Sequence, residues 1–411
     1  MINNKSDAKI LGKLFSLIFV FNFLCSQAHA GLVKPQSMGS KTTGSSPITS
    51  LPKPKLDGFL DTTYILNLNG PPSRQTHTHS FDRKNDALLI NALQLNVDGA
   101  AEVGLGYHGE IAFGTDPSFY KARGTNNPTE AGLPTAPSNV AYNFEVQEVY
   151  LTHKWSQQPI GLIFGKFEKL TGIERIESWK NANITRGIIF GNALPFTHIG
   201  VFADYQVNPI INFGLGLFNG WNMNTDNNSG KTFATKIGIG LSETNYGALT
   251  LYAGPEKNGN SGDTRMTLDT TWFLKPREET TVQLELLYGQ ERNSSIADAN
   301  SDGVADGGDA KWYALSIQPV QWLSDQWSIG ARYEWFYDKD GARLVTPYFA
   351  AVNGVTVQAI TLTPTYKINE WLLVRGEFGY EWASRNGYVS DTGAVDKSSL
   401  PQLGAELIFK F

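Results

Sequence analysis

Residues 211–218 read INFGLGLF. Ile211, Phe213, Leu215 and Leu217 alternate with Asn212, Gly214 and Gly216. A period of two puts the apolar side chains on one face of a β-strand and the small or polar ones on the other. The same alternation runs through 103–114, where Val103, Leu105, Tyr107, Ile111 and Phe113 are set against Gly104, Gly106, His108, Glu110 and Ala112. It recurs over 233–241. At the C-terminus Leu403, Ala405, Leu407, Phe409 and Phe411 oppose Gln402, Gly404, Glu406 and Lys410.

Sixteen such segments fill 55–411, most of them nine to thirteen residues long. Soluble strands average about 5–6 residues, whereas a tilted membrane-spanning strand needs about 9–11. The connections strengthen this. Every second one is short (99–101, 156–158, 207–208, 243–245, 275–278, 321–325 and 367–370). The others are long (68–87, 115–143, 168–197, 220–230, 255–263, 291–309, 338–353 and 383–399). Strict alternation of this kind predicts a transmembrane antiparallel β-barrel with short periplasmic turns and long extracellular loops. An even strand count places both ends of the barrel on the periplasmic side. The phase of alternation is ambiguous over 144–155 and 159–167.

Aromatic residues fit two girdles. Trp155, Tyr205, Tyr246, Trp272, Trp322, Trp327, Tyr366 and Trp371 flank the short turns, and Phe113, Phe144, Trp221, Tyr288, Trp312, Trp335 and Trp382 lie near the long loops. Amphipathic rings at both headgroup levels mark outer-membrane barrels. A closed barrel is also the one β architecture that satisfies every backbone group in lipid. The partners expected are outer-membrane lipid, the barrel-assembly machinery and small hydrophilic solutes.

The N-terminus reads as an address. Lys5, Lys9 and Lys13 precede an apolar run over 14–24, and Ala28-His29-Ala30 stands before Gly31. This is the form of a secretory signal peptide over 1–30. The run is too short to span a bilayer, and the residues around Cys25 do not suit lipidation. Cys25 is the one cysteine of the 411 residues, so the exported fold uses no disulfide. Residues 31–54, rich in Pro, Ser, Thr and Gly, read as a flexible periplasmic tail.

Lys and Arg number 34 against 39 Asp and Glu, a net charge of −5. Removing Lys5, Asp7, Lys9 and Lys13 subtracts +2 and leaves −7. That balance excludes a basic nucleic-acid binder and weakly favours passage of cations.

Sixteen strands enclose a bore too wide for side chains to fill. The inward face carries His108, Glu110, Lys236, Asp269, Glu285, Arg332, Glu334, Arg375, Glu377, Glu381, Glu406 and Lys410. So many charges require water. Arg332 with Glu334, and Arg375 with Glu377, form either wall ion pairs or a track for solute. The long connection 168–197 holds Ile173, Ile176, Trp179, Ile184, Ile188, Ile189 and Phe190, which need a surface to pack on. It is expected to fold into the barrel and narrow it, presenting Glu174, Arg175, Glu177, Lys180 and Arg186 as a pore constriction of mixed charge. A cap over the mouth or a subunit contact is the alternative.

Two metal motifs are weaker. Residues 298–309 fit the D-x-N-x-D-G spacing of a calcium loop, with Asp309 in place of the usual Glu and no flanking helices. His77 and His79 lack a third ligand nearby. No cofactor is implied. Catalytic signatures such as G-x-S-x-G and H-E-x-x-H are absent, and the exported chain holds five histidines, His77, His79, His108, His153 and His198.

The set Gly165-Lys166-Phe167, Gly172-Ile173-Glu174, Asn183-Ile184-Thr185-Arg186 and Pro195-Phe196-Thr197-His198-Ile199-Gly200 resembles the putative β-barrel porin-2 (OmpL-like) family of Gram-negative outer membranes. Asn219-Gly220-Trp221 with Asp226-Asn227-Asn228, Gly254-Pro255-Glu256, Arg332-Tyr333-Glu334 and Arg375-Gly376-Glu377 extend the likeness over most of 56–411. Around Arg186 the family pattern has serines, where this chain has Thr185 and Gly187. The resemblance implies a passive diffusion channel. By analogy with other porins it allows a homotrimer. A substrate-selective channel of the sugar type and a lipid-modifying barrel enzyme using His108 remain as alternatives, as does a soluble secreted β protein such as a lectin.

Overall fold

The alternating segments become strands β1 (Lys55–Asn67), β2 (Leu88–Gly99), β3 (Gly104–Gly114), β4 (Asn143–Lys154), β5 (Ile160–Glu168), β6 (Thr197–Gln206), β7 (Ile211–Phe218) and β8 (Thr232–Gly240). They continue as β9 (Tyr246–Lys257), β10 (Asn260–Arg277), β11 (Thr280–Glu291), β12 (Ala310–Trp322), β13 (Trp327–Asp338), β14 (Val355–Lys367) and β15 (Leu372–Ala383). A small hairpin, β16 (Tyr388–Val389) with β17 (Val395–Lys397), precedes the last barrel strand, β18 (Ser399–Lys410). Neighbours in sequence pair antiparallel, and β18 pairs with both β15 and β1, so sixteen strands close into one barrel. This computed structural model describes residues 51–411 apart from 77, 80, 123–141, 296–306, 345–348 and 350–353. The signal peptide, the tail up to residue 50, His77 and most of the 298–309 calcium motif lie outside the described residues. Among the described residues no helix is long and apolar enough to cross a membrane; the strands do the crossing.

The two faces of each strand separate as the period of two requires. Leu93, Leu95, Leu215, Leu217, Phe233, Leu403, Leu407 and Phe409 stand exposed on the outside. Thr250, Asp269, Glu285, Ser316, Glu334, Thr363 and Glu406 are buried within. An exposed apolar band over a polar interior is the inverse of a soluble β protein, and its natural solvent is lipid.

Two irregularities explain where alternation is hard to read. In the β3–β4 ladder Glu110 pairs with Glu148 but Ile111 pairs with Val146, leaving Gln147 as an extra residue. Such a bulge turns consecutive residues to one side. Val146 and Val149 stay exposed while Gln147 is buried and Glu148 nearly so. A second bulge at Asn91 in β2 directs Asn91 and Ala92 inward together.

One connection differs from expectation. The presumed loop 255–263 is instead a continuation of β9 and the 18-residue β10, joined at Asn258-Gly259. Asn-Gly favours a tight two-residue turn, and Gly259 has a φ of +66°. The pair of strands therefore extends as one long hairpin.

At the seam the chain's last residue is bound. Phe411 N–H donates to the Gly58 carbonyl at 3.0 Å, and Gly58 N–H donates to the Phe411 carbonyl at 2.9 Å. A Cβ on Gly58 would meet the Gln94 carbonyl oxygen at 2.5 Å and the Phe411 ring at 2.8 Å. Gly58→Val should therefore strain closure by about 1–3 kcal/mol, the cost of overpacking. The variant should lose its folded, fast-migrating gel form at lower temperature than the parent; equal melting would remove the seam argument.

Candidate functional site

The connection between β5 and β6 enters the bore and crosses to the opposite wall. It holds a short 3-10 turn at Ser178–Lys180 and one turn of helix, α2 (Ile188–Asn192), the companion of α1 (Pro117–Tyr120) in the β3–β4 loop. Its isoleucines find the surface they need. Ile188, Ile189 and Leu194 pack with Leu287, Trp312, Phe336 and Val357 of the wall. Ile176, Phe190 and Phe196 pack with Phe81, Phe119 and Tyr120 of the other long loops. The segment is thus gripped from both sides.

Polar wall residues complete the attachment strand by strand. Asp269 on β10 accepts the Gly172 amide at 3.1 Å and the Thr171 hydroxyl. Glu285 on β11 accepts the Ile173 amide at 3.4 Å. Glu334 on β13 accepts the Ile188 and Ile189 amides at 3.0 and 3.1 Å, so a wall carboxylate supplies the cap for the otherwise unpaired amides of α2. Glu377 on β15 accepts the Ile184 amide and Thr185 hydroxyl, each at 2.6 Å. Arg375 donates to Ser178 Oγ at 2.6 Å and pairs with Glu406 on β18.

Arg332 on β13 is the hub. Its guanidinium lies 2.7 Å from Glu174 of the segment and 3.2 Å from Glu334, and it also donates to the Thr185 carbonyl. The expected Arg332–Glu334 pair is therefore present. Arg375 and Glu377, by contrast, do not pair with each other: Arg375 takes Glu406, and Glu377 holds segment amides. Lys236 donates to the Leu170 carbonyl at 2.7 Å. Glu381, near the loop end of β15, binds His79 and the Tyr388 hydroxyl. The wall charges thus serve largely to anchor backbone.

The five charges expected at a constriction divide in two. Glu174, Glu177 and Arg186 are buried. Arg186 donates to Asp116 at 2.6 Å and to the Ile176 carbonyl, and stacks 4.9 Å over Phe81. Burial pushes the Asp116 carboxyl up to about 7 against the pull of Arg186. Arg175 and Lys180 remain open to solvent, their side chains 45% and 38% exposed, beside Glu168 at 3.2 Å and Glu177 at 2.6 Å. Burial works to raise the Glu177 carboxyl, but the neighbouring Lys180 ammonium holds it below its usual range. Charge type alone does not distinguish these groups. The difference comes from which side of the segment meets wall, a tertiary fact. The anchoring roles of Thr185 and Asp116 were likewise not apparent from spacing.

The bore is asymmetric as a result. Glu285, Arg332, Glu334, Arg375 and Glu377 on β11–β15 are covered by the segment. Across from them Asp98, His108 and Glu148 on β2–β4 keep side-chain exposures of 44%, 14% and 14%. The imidazole of His108 faces the carboxylates of Asp98, Glu110 and Glu148.

The sequence model of a family described as putative beta-barrel porin-2, OmpL-like, matches residues 53–411. The chain belongs to this family. Its members are porins, and this porin is a multi-pass barrel of the outer membrane. Among curated proteins none matches the sequence. Solved structures share the fold at low identity. The outer membrane channel DcaP of Acinetobacter baumannii is 14% identical, with a TM-score of 0.56 over 87% of this chain and 97% of that one. An anion-selective porin from Comamonas acidovorans is 11% identical, with a TM-score of 0.56 over 87% and 99%. A trimer form of OmpT, an outer membrane protein of Vibrio cholerae, is 12% identical, with a TM-score of 0.53 over 87% and 99%.

Proposed function

We propose that this porin is a passive diffusion channel for ions and small hydrophilic solutes, filtering by size and charge between the β5–β6 segment and the β2–β4 wall. The observation that carries this reading is the division of charges on the segment. Its far side is pinned by buried pairs, while Arg175 and Lys180 remain in water. The β2–β4 wall carries the acidic groups Asp98 and Glu148, with side-chain exposures of 44% and 14%. Exposed charges of both signs along a water-filled bore act on every passing solute, and they outweigh the overall charge of the chain in setting ion preference. The filter is steric and electrostatic, with no bond made or broken.

Single-channel recording of the folded, purified protein in a planar bilayer tests this. Ohmic steps should appear. Replacing Arg175→Glu and Lys180→Glu together should shift the reversal potential in a salt gradient toward cation preference. An inserted barrel without current, or a reversal potential indifferent to both charges, would remove the proposal. The trimer form of OmpT supports a homotrimer, to be checked by light scattering of the detergent-extracted protein.

A further inference from the structure

His108 and Glu110 lie two residues apart on β3 and so share the inward face. Glu110 pairs directly with Glu148 across the β3–β4 ladder. Two carboxylates directly opposite one another destabilise a sheet unless something positive lies between them. The Gln147 bulge is what turns Glu148 toward the lumen; the regular alternation from Val146 would have sent it to the lipid side.

The donor atoms converge. His108 Nε2 lies 3.1 Å from Glu110 Oε1 and 3.4 Å from Glu148 Oε2. One ligand atom from each residue falls within 4.8 Å of the others, and this is the group of metal-ligating side chains found among the described residues. Two ligands held about 2.1 Å from a shared tetrahedral ion stand about 3.4 Å apart, so the spacing suits one small dication. Glu110 is 5% exposed, yet its Oε2 is buried with no hydrogen-bond partner.

The surroundings are those of a metal-binding histidine. Nδ1, on the far side of the ring, lies 3.2 Å from Asp98 Oδ1. A carboxylate on that nitrogen fixes the ring's orientation and leaves Nε2 as the donor. Tyr150 stacks on the imidazole at 4.8 Å between centroids. The other oxygen of Glu148 accepts the Glu168 amide, which holds the carboxylate in place at the root of the inner segment. Lys180 is engaged by Glu177 at 2.6 Å.

We infer that His108, Glu110 and Glu148 bind a divalent transition-metal ion in the bore wall, with Asp98 positioning the imidazole. One imidazole and two carboxylates are a ligand set for zinc or its neighbours. The fourth position opens to the lumen, since His108 and Glu148 are partly exposed. A dication there offsets the two carboxylates that hold it and leaves this acidic strip of wall much less negative, so metal occupancy would tune the charge filter.

The test uses full-length folded protein in detergent, stripped with chelator and titrated with Co²⁺ while visible absorption is recorded, then with Zn²⁺ in competition. One ion per chain should bind, with the absorption of a low-coordinate cobalt site. Glu110→Gln and Glu148→Gln should each weaken binding at least about tenfold, and Asp98→Asn about 10–100-fold. Heat-modifiable gel mobility confirms that each variant is a folded barrel. Absence of cobalt binding, or equal binding by His108→Ala, would overturn the inference and leave His108 as an imidazolium bridging two carboxylates. The titration is independent of conductance, so its failure is distinct from failure of the channel.

Discussion

Arg332→Met should convert a steady conductance into a larger, flickering one. Arg332 is buried and touches both ends of the inner segment's attachment, Glu174 from the segment and Glu334 from the wall. Removing the guanidinium leaves two buried carboxylates without their cation, which typically costs about 3–5 kcal/mol. The barrel ladder does not depend on Arg332, so the loss should fall on the segment. Its other ties, to Asp269, Glu377 and Glu406, hold it in part, giving fluctuation between seated and displaced states. Arg332→Lys should be intermediate, because an ammonium cannot reproduce the planar set of contacts. Trypsin supplies a second readout, since Arg175, Lys180 and Arg186 all lie on the segment. Unchanged noise together with unchanged protease resistance would mean that the apolar packing alone holds the segment.

Much of this architecture was legible from period and spacing. Strand number, order and orientation follow from alternation, because the two faces of a membrane barrel meet opposite solvents and each residue must choose one. Legibility fails where a local choice depends on a distant partner. The bulge at Gln147 cannot be seen from β4 alone, because it is a mismatch in count with β3. The Asn258-Gly259 turn was hidden by the polar composition of its flanks, although the dipeptide itself was a usable signal. In the site, seven apolar residues on a long polar connection pointed to an inner segment. Which of its charges are buried depends on the wall each meets: Arg186 reaches Asp116 in the preceding long loop, while Arg175 meets Glu168 at its own root. Glu334 and Glu377 read as bore charges, but they act as acceptors for amides that a short irregular segment cannot satisfy internally.

Leu215→Arg and Asn212→Arg form a matched pair three residues apart on β7, and they should differ sharply. Leu215 is 55% exposed on the outer face, in mid-strand between Ala203 and Thr235. In lipid that exposure is contact with acyl chains, and an arginine near the midplane of such a barrel costs about 2–4 kcal/mol. Asn212 lies near the short turn, on the lumen side, where its side-chain oxygen accepts the Gly238 amide at 3.0 Å. Losing one such bond beside water costs about 1 kcal/mol, and the guanidinium stays hydrated. Folding into vesicles across a urea series, followed by tryptophan emission, separates the two. A larger loss at Leu215 confirms which face meets lipid. Equal losses would mean that strand phase carries no information about the bilayer; a larger loss at Asn212 would invert the barrel's faces and with them every bore assignment. The comparison holds net charge and strand constant, and the hydrogen bond lost at Asn212 works against the expected order, so a larger loss at Leu215 points to the solvent on the outer side of the sheet.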